Sequence, residues 1–266
     1  MLLNRVEYAR PATVAEAAEL LGGHENARPL AGGQTLLNVM KVRAAAPDVL
    51  VDLGAIDELR QISATSDGGL EIGAMATYAE LIESAEVNGA RPVLAQVAAQ
   101  IADVQVRNRG TIGGNVCASD PTNHLPPLMV ALRADMTIFG RGGERRVSAH
   151  EFFLGVYFTA VGPGELLTKI TLPRREGADG FASVTIGRDG TCIANAAASV
   201  DGGVRLALGC VDAVPVAVTA ESADENAVRE AVRGAAFDPP SDIHASAEYR
   251  QHLAEVLAVR AVRQAQ

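Results

Sequence analysis

The sequence has no tryptophan, and aromatic residues make up only 4% of its 266 positions. The 48% hydrophobic content is therefore carried mostly by alanine, valine, leucine and isoleucine, and it suffices for a core in one large domain or two smaller ones. Lysine and arginine never occur in runs longer than two, and the net charge is −9. This acidic balance argues against nucleic acid or an anionic membrane as a partner.

Long apolar runs and targeting signals are also missing. No stretch approaches the roughly 18 apolar residues of a membrane span, and residues 1–10 lack the layout of a signal peptide. The three cysteines, Cys117, Cys192 and Cys210, are far apart in the sequence and form no CxxC pair. They predict neither a disulfide framework nor a zinc or iron–sulfur site. We therefore expect a cytoplasmic protein with reduced thiols, and any redox metal on another chain.

Short segments with strand-like and helix-like patterns alternate along the chain. Thr13 and Thr77 each open a capping box, with a glutamate three residues further on, and Asp201-Gly202-Gly203 is a hairpin signal. The GADG segment at 177–180 is the predicted internal boundary. Strands are predicted at 27–31, 49–53, 70–75, 134–140, 166–173, 181–187, 193–200 and 204–211, and helices after both capping boxes and at 36–43, 91–102, 125–132, 225–236 and 247–265.

Two glycine pairs interrupt this pattern, in PLAGGQTLL (29–37) and TIGGN (111–115). Because glycine has no Cβ and reaches positive φ, such a pair lets several amides converge on an anion. The neighbouring threonine, glutamine and asparagine side chains add further donors. The pairs could instead serve only as tight turns. Since there is no GxGxxG and no P-loop lysine, the remaining nucleotide hypothesis is a dinucleotide whose two phosphates are gripped by two glycine loops.

The other groups of candidate functional residues give only weak signals. The five histidines have no metal-binding spacing, and we expect most of them to be solvated, with His124 as the exception. Ser119-Asp120 predicts a turn because no GxSxG elbow surrounds it, and 107–109 (RNR) is more typical of a solvated turn than of a phosphate clamp. No nucleophile with its base is recognisable, so neither a catalytic nor a metal-binding residue is predicted.

Longer stretches around the glycine pairs resemble the FAD-binding medium subunit of the molybdenum hydroxylases. They are AGGQTLLNVMKVR with LVDL, RNRGTIGGNVCASDP, PPLMVAL, GVYFTAVGPGELLTKITLP and, near the end, SDIHASAEYR. This family includes carbon monoxide dehydrogenases, quinoline and nicotine-type dehydrogenases, and the xanthine dehydrogenases. The resemblance implies an α+β fold of the vanillyl-alcohol-oxidase or PCMH type. Residues 1–176 would form the FAD-binding domain, with α/β subdomains at about 1–56 and 57–176, and residues 177–266 a C-terminal antiparallel sheet with helices.

By this resemblance, FAD lies extended between the first two subdomains, and its isoalloxazine ring reaches toward the third. The implied cofactor-binding residues are Pro29, Leu30, Ala31, Gly32, Gly33, Gln34, Thr35, Leu36, Ile101, Thr111, Ile112, Gly113, Gly114, Asn115, His124, Leu167 and Ile193. Several positions depart from the family. His124 stands where relatives commonly carry an acidic residue, a lysine usual near Thr185 and an aspartate usual near Cys192 are absent, and Ile193 stands where relatives place tyrosine or isoleucine against the flavin.

The resemblance also implies a function within a heterotrimer. A large partner would hold molybdenum–pterin and a small partner two [2Fe–2S] clusters, with two heterotrimers forming a dimer. Electrons would pass from the clusters through FAD to an external acceptor. Two other hypotheses stay open. One is a self-sufficient flavin-dependent reductase, with Ser183, Thr185 or Cys192 as proton donor, and the other is a non-catalytic scaffold in which the glycine pairs are turns.

Overall fold

Three β-sheets and a small hairpin organise the chain in the computed structural model, which describes residues 3–187 and 190–266. The strands are β1 (Glu7–Ala9), β2 (Ala27–Leu30), β3 (Val49–Asp52), β4 (Ile62–Ala64), β5 (Leu70–Gly73), β6 (Asp135–Gly140), β7 (Gly143–Ser148), β8 (Phe153–Gly155), β9 (Phe158–Thr159), β10 (Leu166–Leu172), β11 (Ala178–Thr185), β12 (Cys192–Val200), β13 (Val204–Gly209) and β14 (Val216–Ala220). The helices are α1 (Val14–Gly23), α2 (Leu36–Lys41), α3 (Tyr78–Glu83), α4 (Ala85–Ala90), α5 (Pro92–Ala98), α6 (Val104–Arg107), α7 (Ile112–Ala118), α8 (Leu125–Ala131), α9 (Ala149–Phe152), α10 (Glu225–Gly234) and α11 (Ala247–Gln264).

The first sheet is parallel, with the strand order β1-β3-β2. Helix α1 connects β1 to β2 and buries Ala17, Ala18 and Leu21 in a core that it shares with β3. At the start of α1 the Thr13 hydroxyl accepts a hydrogen bond from the amide of Glu16 at 3.2 Å, as the capping pattern predicted. Strand β2 then leads directly into the first glycine pair.

The second sheet is antiparallel, with the order β4-β5-β10-β6-β7. The largest apolar cluster of the described residues joins the central strands of this sheet to α3, α5, α7 and α8. The end of β5 lies beside the start of α7, where Thr77 forms an isolated bridge with Thr111. This bridge places the second glycine pair at the edge of the second sheet.

The third sheet is an antiparallel meander in the order β11-β12-β13-β14. Helix α11 packs on one face, and α8, which follows the second glycine pair, packs on the other. Strand β12 is therefore covered on both sides, which explains its run of alanines: a larger side chain would push the layers apart. The third sheet thus lies against α8, which packs in turn on α7, the helix that carries the second glycine pair.

The α+β class is confirmed, and each predicted strand and helix is present with slightly different ends. One prediction is wrong in detail: Gly113 and Gly114 lie in the first turn of α7 and not in a loop. The sequence patterns missed six strands (β1, β4, β7, β8, β9 and β14) and four helices (α4, α6, α7 and α9), all of them short or exposed. No helix within the described residues is long and apolar enough to cross a membrane.

Candidate cofactor site

The first glycine pair forms a sharp bend between β2 and α2. Gly33 has φ of +73°, a conformation that side chains with a Cβ rarely adopt. A Cβ on Gly32 would lie 2.0 Å from the carbonyl oxygen of Arg109, so the bend touches the backbone just before the second glycine pair. Both glycines are therefore required by the backbone itself, as the turn interpretation proposed.

The amides of this bend differ from those of an ordinary turn. The amides of Gly32, Gly33, Gln34 and Thr35 form no hydrogen bond with any acceptor in residues 3–187 and 190–266. The bend is half-exposed, and the Gln34 side chain donates to the Gly32 carbonyl at 3.1 Å, which holds the loop in shape. Four unused N–H groups in consecutive residues suit an anion such as a phosphate.

The second glycine pair is arranged differently. Its amides already have partners: Ile112 donates to the Ala76 carbonyl at 2.9 Å, Gly113 to the Ala74 carbonyl at 2.9 Å, and Gly114 to the Thr111 hydroxyl at 3.0 Å. The amide of Asn115 donates to the Thr111 carbonyl at 3.0 Å. The expectation that both pairs offer converging free amides is therefore wrong for the second one, which can contribute only side chains, carbonyls and close backbone approach.

The two glycine pairs meet at Gly114. Gly113 is buried, and a Cβ there would lie 2.5 Å from the Ala74 carbonyl oxygen, whereas Gly114 is exposed. A Cβ on Gly114 would lie 2.8 Å from the Thr111 hydroxyl and 3.6 Å from the Cβ of Ala31, with nothing else within 4 Å. Ala31, which directly precedes the four free amides, thus lies beside Gly114, a residue without a side chain. This arrangement fits the pyrophosphate of a dinucleotide.

A buried polar cluster lies where α7 and α8 face the third sheet. The Asn115 side chain donates to the hydroxyl of Tyr78 at 3.0 Å, and burial raises the pKa of Tyr78 to about 12, so this phenol stays protonated. The side-chain oxygen Oδ1 of Asn115 has no partner within the described residues, and the same holds for Nδ1 of His124 and Oδ1 of Asn195. Because buried polar atoms are nearly always hydrogen-bonded, this region suits a polar ligand.

His124 is the histidine that the sequence analysis named as the exception to solvent exposure. It is buried at the start of α8, and its ring centroid lies 5.3 Å from that of Phe181 on β11. It also helps to lower the pKa of Cys192, the first residue of β12. The other four histidines are exposed, as expected: His24, His150, His244 and His252.

The three remaining predicted contacts are spread around this region. Ile101 is half-buried after α5, and its carbonyl accepts a hydrogen bond from Arg107 Nη1 at 3.0 Å, which accounts for part of the RNR segment. Leu167 is buried within the central apolar cluster on β10. Ile193 lies at a bulge between β11 and β12, and its side chain packs in the core between the third sheet and α11. The structure therefore does not bring Ile193 next to the glycine pairs, and its flavin contact stays a prediction.

The sequence analysis did not identify two buried polar residues of this region. Asn195 is completely buried on β12, and an asparagine within a strand of alanines was the available signal. Arg250 on α11 is also buried; its Nη1 donates to the carbonyls of Ile193 and Cys210, and its Nη2 pairs with Asp242 at 2.6 Å. Asp242 and Arg250 both lie within the SDIHASAEYR segment, whose part in the structure is thus to hold the third sheet beside the site.

Comparisons with known proteins agree with this geometry. Residues 4–175 match the family described as FAD binding domain in molybdopterin dehydrogenase, and residues 188–265 match the CO dehydrogenase flavoprotein C-terminal domain. The chain is 38% identical to the carbon monoxide dehydrogenase medium chain of Afipia carboxidovorans, over 100% of this chain and 98% of that protein. It is 32% identical to the nicotine 6-hydroxylase medium subunit of Paenarthrobacter nicotinovorans, over 98% of each chain. Among solved structures, the reconstituted CO dehydrogenase of Oligotropha carboxidovorans superposes with a TM-score of 0.93 at 36% identity, covering 100% of this chain and 99% of that one.

The fold and the two glycine pairs thus define an FAD-binding oxidoreductase component. More specifically, the chain belongs to the FAD-binding medium subunits of the molybdenum hydroxylases, the family of carbon monoxide dehydrogenase and xanthine dehydrogenase. The relatives are medium chains of multi-subunit dehydrogenases, so this chain is a component of such an assembly.

Proposed function

We propose that this chain is the electron-transfer subunit of a heterotrimeric molybdenum hydroxylase. It would receive electrons from two [2Fe–2S] clusters of a small partner and pass them through FAD to an external acceptor, while a large partner oxidises the substrate at molybdenum–pterin. Two heterotrimers would form a dimer. The observation that carries this proposal is that the amides of Gly32 to Thr35 have no partner within the described residues while Ala31, just before them, lies beside the exposed Gly114.

The proposed role of the chain is to bind and orient the cofactor. The Gly32–Thr35 amides would neutralise one phosphate, and Gly114 would allow the backbone of α7 to come close to the other. Asn115 and His124 would contribute their unpaired polar atoms further along the cofactor. When bound, FAD supplies a carrier that exchanges one or two electrons.

We also propose that the boundary at residue 176 separates the FAD-binding domain, with subdomains near 1–56 and 57–176, from the C-terminal domain.

The side chains near the third sheet favour electron transfer over a self-sufficient reductase. A reductase needs a proton donor at the flavin. Thr185 donates to the Gly187 carbonyl at 2.9 Å, and Ser183 lies 3.4 Å from the Gln100 side chain, so both hydroxyls have local partners. Contacts with Cys210 and then His124 lower the pKa of Cys192, so a smaller share of this thiol carries a proton near neutral pH and it is poorly suited to donate one to the flavin.

An absorbance spectrum of the tagged chain, purified together with its partners, tests the proposal. We expect flavin bands, about one FAD released per chain by acid, and iron–sulfur absorbance from a co-purifying chain. Rapid mixing with the substrate of the complex should then bleach the iron–sulfur and flavin bands together. A colourless chain that also fails to bind added FAD would contradict the proposal and favour the scaffold hypothesis. A yellow chain that purifies alone and reduces a substrate itself would favour the reductase.

A further inference from the structure

Two cysteines that are distant in the sequence meet inside the buried polar cluster. Cys192 opens β12, and Cys210 follows β13. The side-chain amide of Asn195 lies 3.5 Å from the sulfur of each, and the Cys210 thiol hydrogen-bonds Cys192. Two of the three cysteines, which are far apart in the sequence, are therefore close in space. Both thiols are free, and both residues are buried.

The backbone around this pair is held in place. Asn195 is the direct partner of Gly209 across β12 and β13, so the two cysteines lie at neighbouring strand ends. Arg250 binds the carbonyls of Ile193 and Cys210, and Cys210 has φ of +65°, which is unusual for a residue other than glycine. Cys210 stands opposite Ala194, two residues from Cys192 along β12, and the two thiols face the same group because the Asn195 amide lies 3.5 Å from each sulfur.

The two sulfurs have different chemical environments. The Cys192 sulfur accepts a hydrogen bond from the Asn195 amide at 3.5 Å and lies 3.3 Å from the Ala194 carbonyl, and its contacts with Cys210 and then His124 lower its pKa. The same contact with Cys192, together with burial, raises the pKa of Cys210. A thiol with a lowered pKa beside a thiol with a raised pKa is the arrangement of an attacking and a resolving cysteine. Within residues 3–187 and 190–266 no three His, Cys, Asp or Glu side chains are placed to hold a metal ion, so metal binding does not explain the cluster.

We propose that Cys192 and Cys210 are a redox-active thiol pair that a hydroperoxide converts into an intrachain disulfide. The Cys192 thiolate attacks one peroxide oxygen, the O–O bond breaks, and the leaving hydroxide takes up a proton to become water. The sulfur of Cys210 then loses its proton and attacks the sulfenic acid of Cys192. The S–S bond forms, the S–O bond breaks, and a second water leaves. Two thiols are oxidised by two electrons, and one hydrogen peroxide is reduced to two waters.

The bond would form at the edge of the proposed cofactor site. His124, Asn195 and the strand end that carries Ile193 all contact the pair. A disulfide would remove the thiolate acceptor from His124 and Asn195, and would thereby alter polar groups that face the FAD-binding domain. We infer that the pair makes this region sensitive to oxidation, and this does not depend on which electron acceptor the complex uses.

The experiment counts thiols after oxidation of the purified complex by hydrogen peroxide, with alkylation in denaturant and peptide mass mapping. Cys117 is the internal control, because burial of its thiol raises its pKa to about 12 while the residue as a whole is more exposed than Cys192 and Cys210, so poorer access would not explain slower oxidation. We expect two thiols to be lost and a linked Cys192–Cys210 peptide that is lighter by two hydrogens and is restored by a dithiol. Cys192 should react at least about tenfold faster than Cys117. Retention of all three thiols, or equal oxidation of Cys117 and Cys192, would overturn the proposal.

Single-residue variants distinguish the attacking cysteine from the resolving cysteine. Cys210→Ser should stop at a sulfenic acid on Cys192 that dimedone captures, and Cys192→Ser should leave Cys210 reduced. Cys117→Ser should form the disulfide at the wild-type rate. A disulfide that involves Cys117, or sulfenic acid on Cys210 in Cys192→Ser, would contradict the assignment. If a variant of the pair does not fold, the ratio of Cys192 to Cys117 oxidation in the wild-type complex decides the question alone.

Discussion

At the scale of single residues, the four glycines of the two motifs are required for different reasons. Gly33 has a positive φ that other residues rarely adopt, and a Cβ on Gly32 or Gly113 would collide with a neighbouring carbonyl oxygen. Only Gly114 is exposed and free of a backbone contact, so the fold alone does not demand a glycine there. A cofactor that approaches the first turn of α7 provides the missing reason. Gly114 is therefore the position at which binding and folding can be separated.

Gly114→Val should abolish FAD binding while the chain stays folded, because the added methyl groups project over the surface beside Ala31. The new Cβ displaces the Thr111 hydroxyl that caps α7, so we expect a stability loss of about 1 kcal/mol. FAD per chain by acid release and the thermal midpoint by circular dichroism provide the two readouts.

Gly89→Val is the matched control, since Gly89 is exposed on α4 and has no atom near its Cβ position. It should keep its full FAD content. Gly32→Ala should instead lose FAD and stability together, because its Cβ would collide with the Arg109 backbone. Normal FAD content in Gly114→Val would remove this glycine from the site.

At the scale of elements, the segment before α11 is organised by one carboxylate. Asp242 accepts hydrogen bonds from the amides of His244 and Ala245 and pairs with Arg250. These partners, the His244 amide foremost, lower the pKa of Asp242 to about 2. Because the folded-state pKa lies below the usual value of about 3.9, the carboxylate stabilises the fold above that usual value. The contribution is lost as the pH falls toward 2.

Asp242→Asn should therefore be less stable than the wild type at neutral pH, and the difference should shrink between about pH 4 and pH 2. Urea unfolding of both proteins at a series of pH values measures this. Glu19→Gln, which removes one exposed negative charge from α1, controls for the change in net charge. A difference between Asp242→Asn and the wild type that stays constant down to pH 2 would show that the Asp242 carboxylate does not act through its charge.

Elements with strong local signals were predictable from the sequence, and elements that depend on distant partners were not. The threonine caps of α1 and α3 and the apolar strands β3, β6, β10 and β13 carry their own patterns. Strand β7, with the sequence GERRVS, is exposed, and only its pairing with β6 makes it a strand. The start of α7 at the second glycine pair was missed because glycine disfavours helix, and contacts with Ala74 and Ala76 override that preference.

The candidate site shows the same division. The glycine pairs predicted anion binding because that chemistry is local; the amides of Gly32 to Thr35 have no partner within the described residues, whereas those of the second pair do, and anion binding stays a prediction. The contact between Cys192 and Cys210 depends on a strand register and on a bulge after Val184, neither of which a sequence pattern specifies. Arg250 is 57 residues from Ile193 and 40 residues from Cys210 in the sequence. Its contacts with their carbonyls could therefore be recognised only once α11 was seen to pack against β12.

At the scale of the whole molecule, one buried ion pair links the FAD-binding domain to the third sheet. Arg91, which precedes α5, donates to Asp179 on β11 at 2.8 Å and to the Pro173 carbonyl at 2.7 Å. Only 4% of the Arg91 side chain and 1% of the Asp179 side chain are exposed. Burying two charges is costly, so the pair serves less to stabilise the protein than to fix how the two parts meet.

Removing one partner should be far more damaging than removing both. Arg91→Met leaves the Asp179 charge buried without its cation and should lower the free energy of unfolding by about 3–5 kcal/mol. In the double variant Arg91→Met with Asp179→Leu, apolar side chains fill the same space and most of that loss should be recovered. Urea unfolding of the wild type, both single variants and the double variant at a fixed FAD concentration gives the four free energies of this double-mutant cycle. If the two single losses simply add in the double variant, the charges are not coupled, and the junction is held by apolar packing between α5, α8 and the third sheet instead.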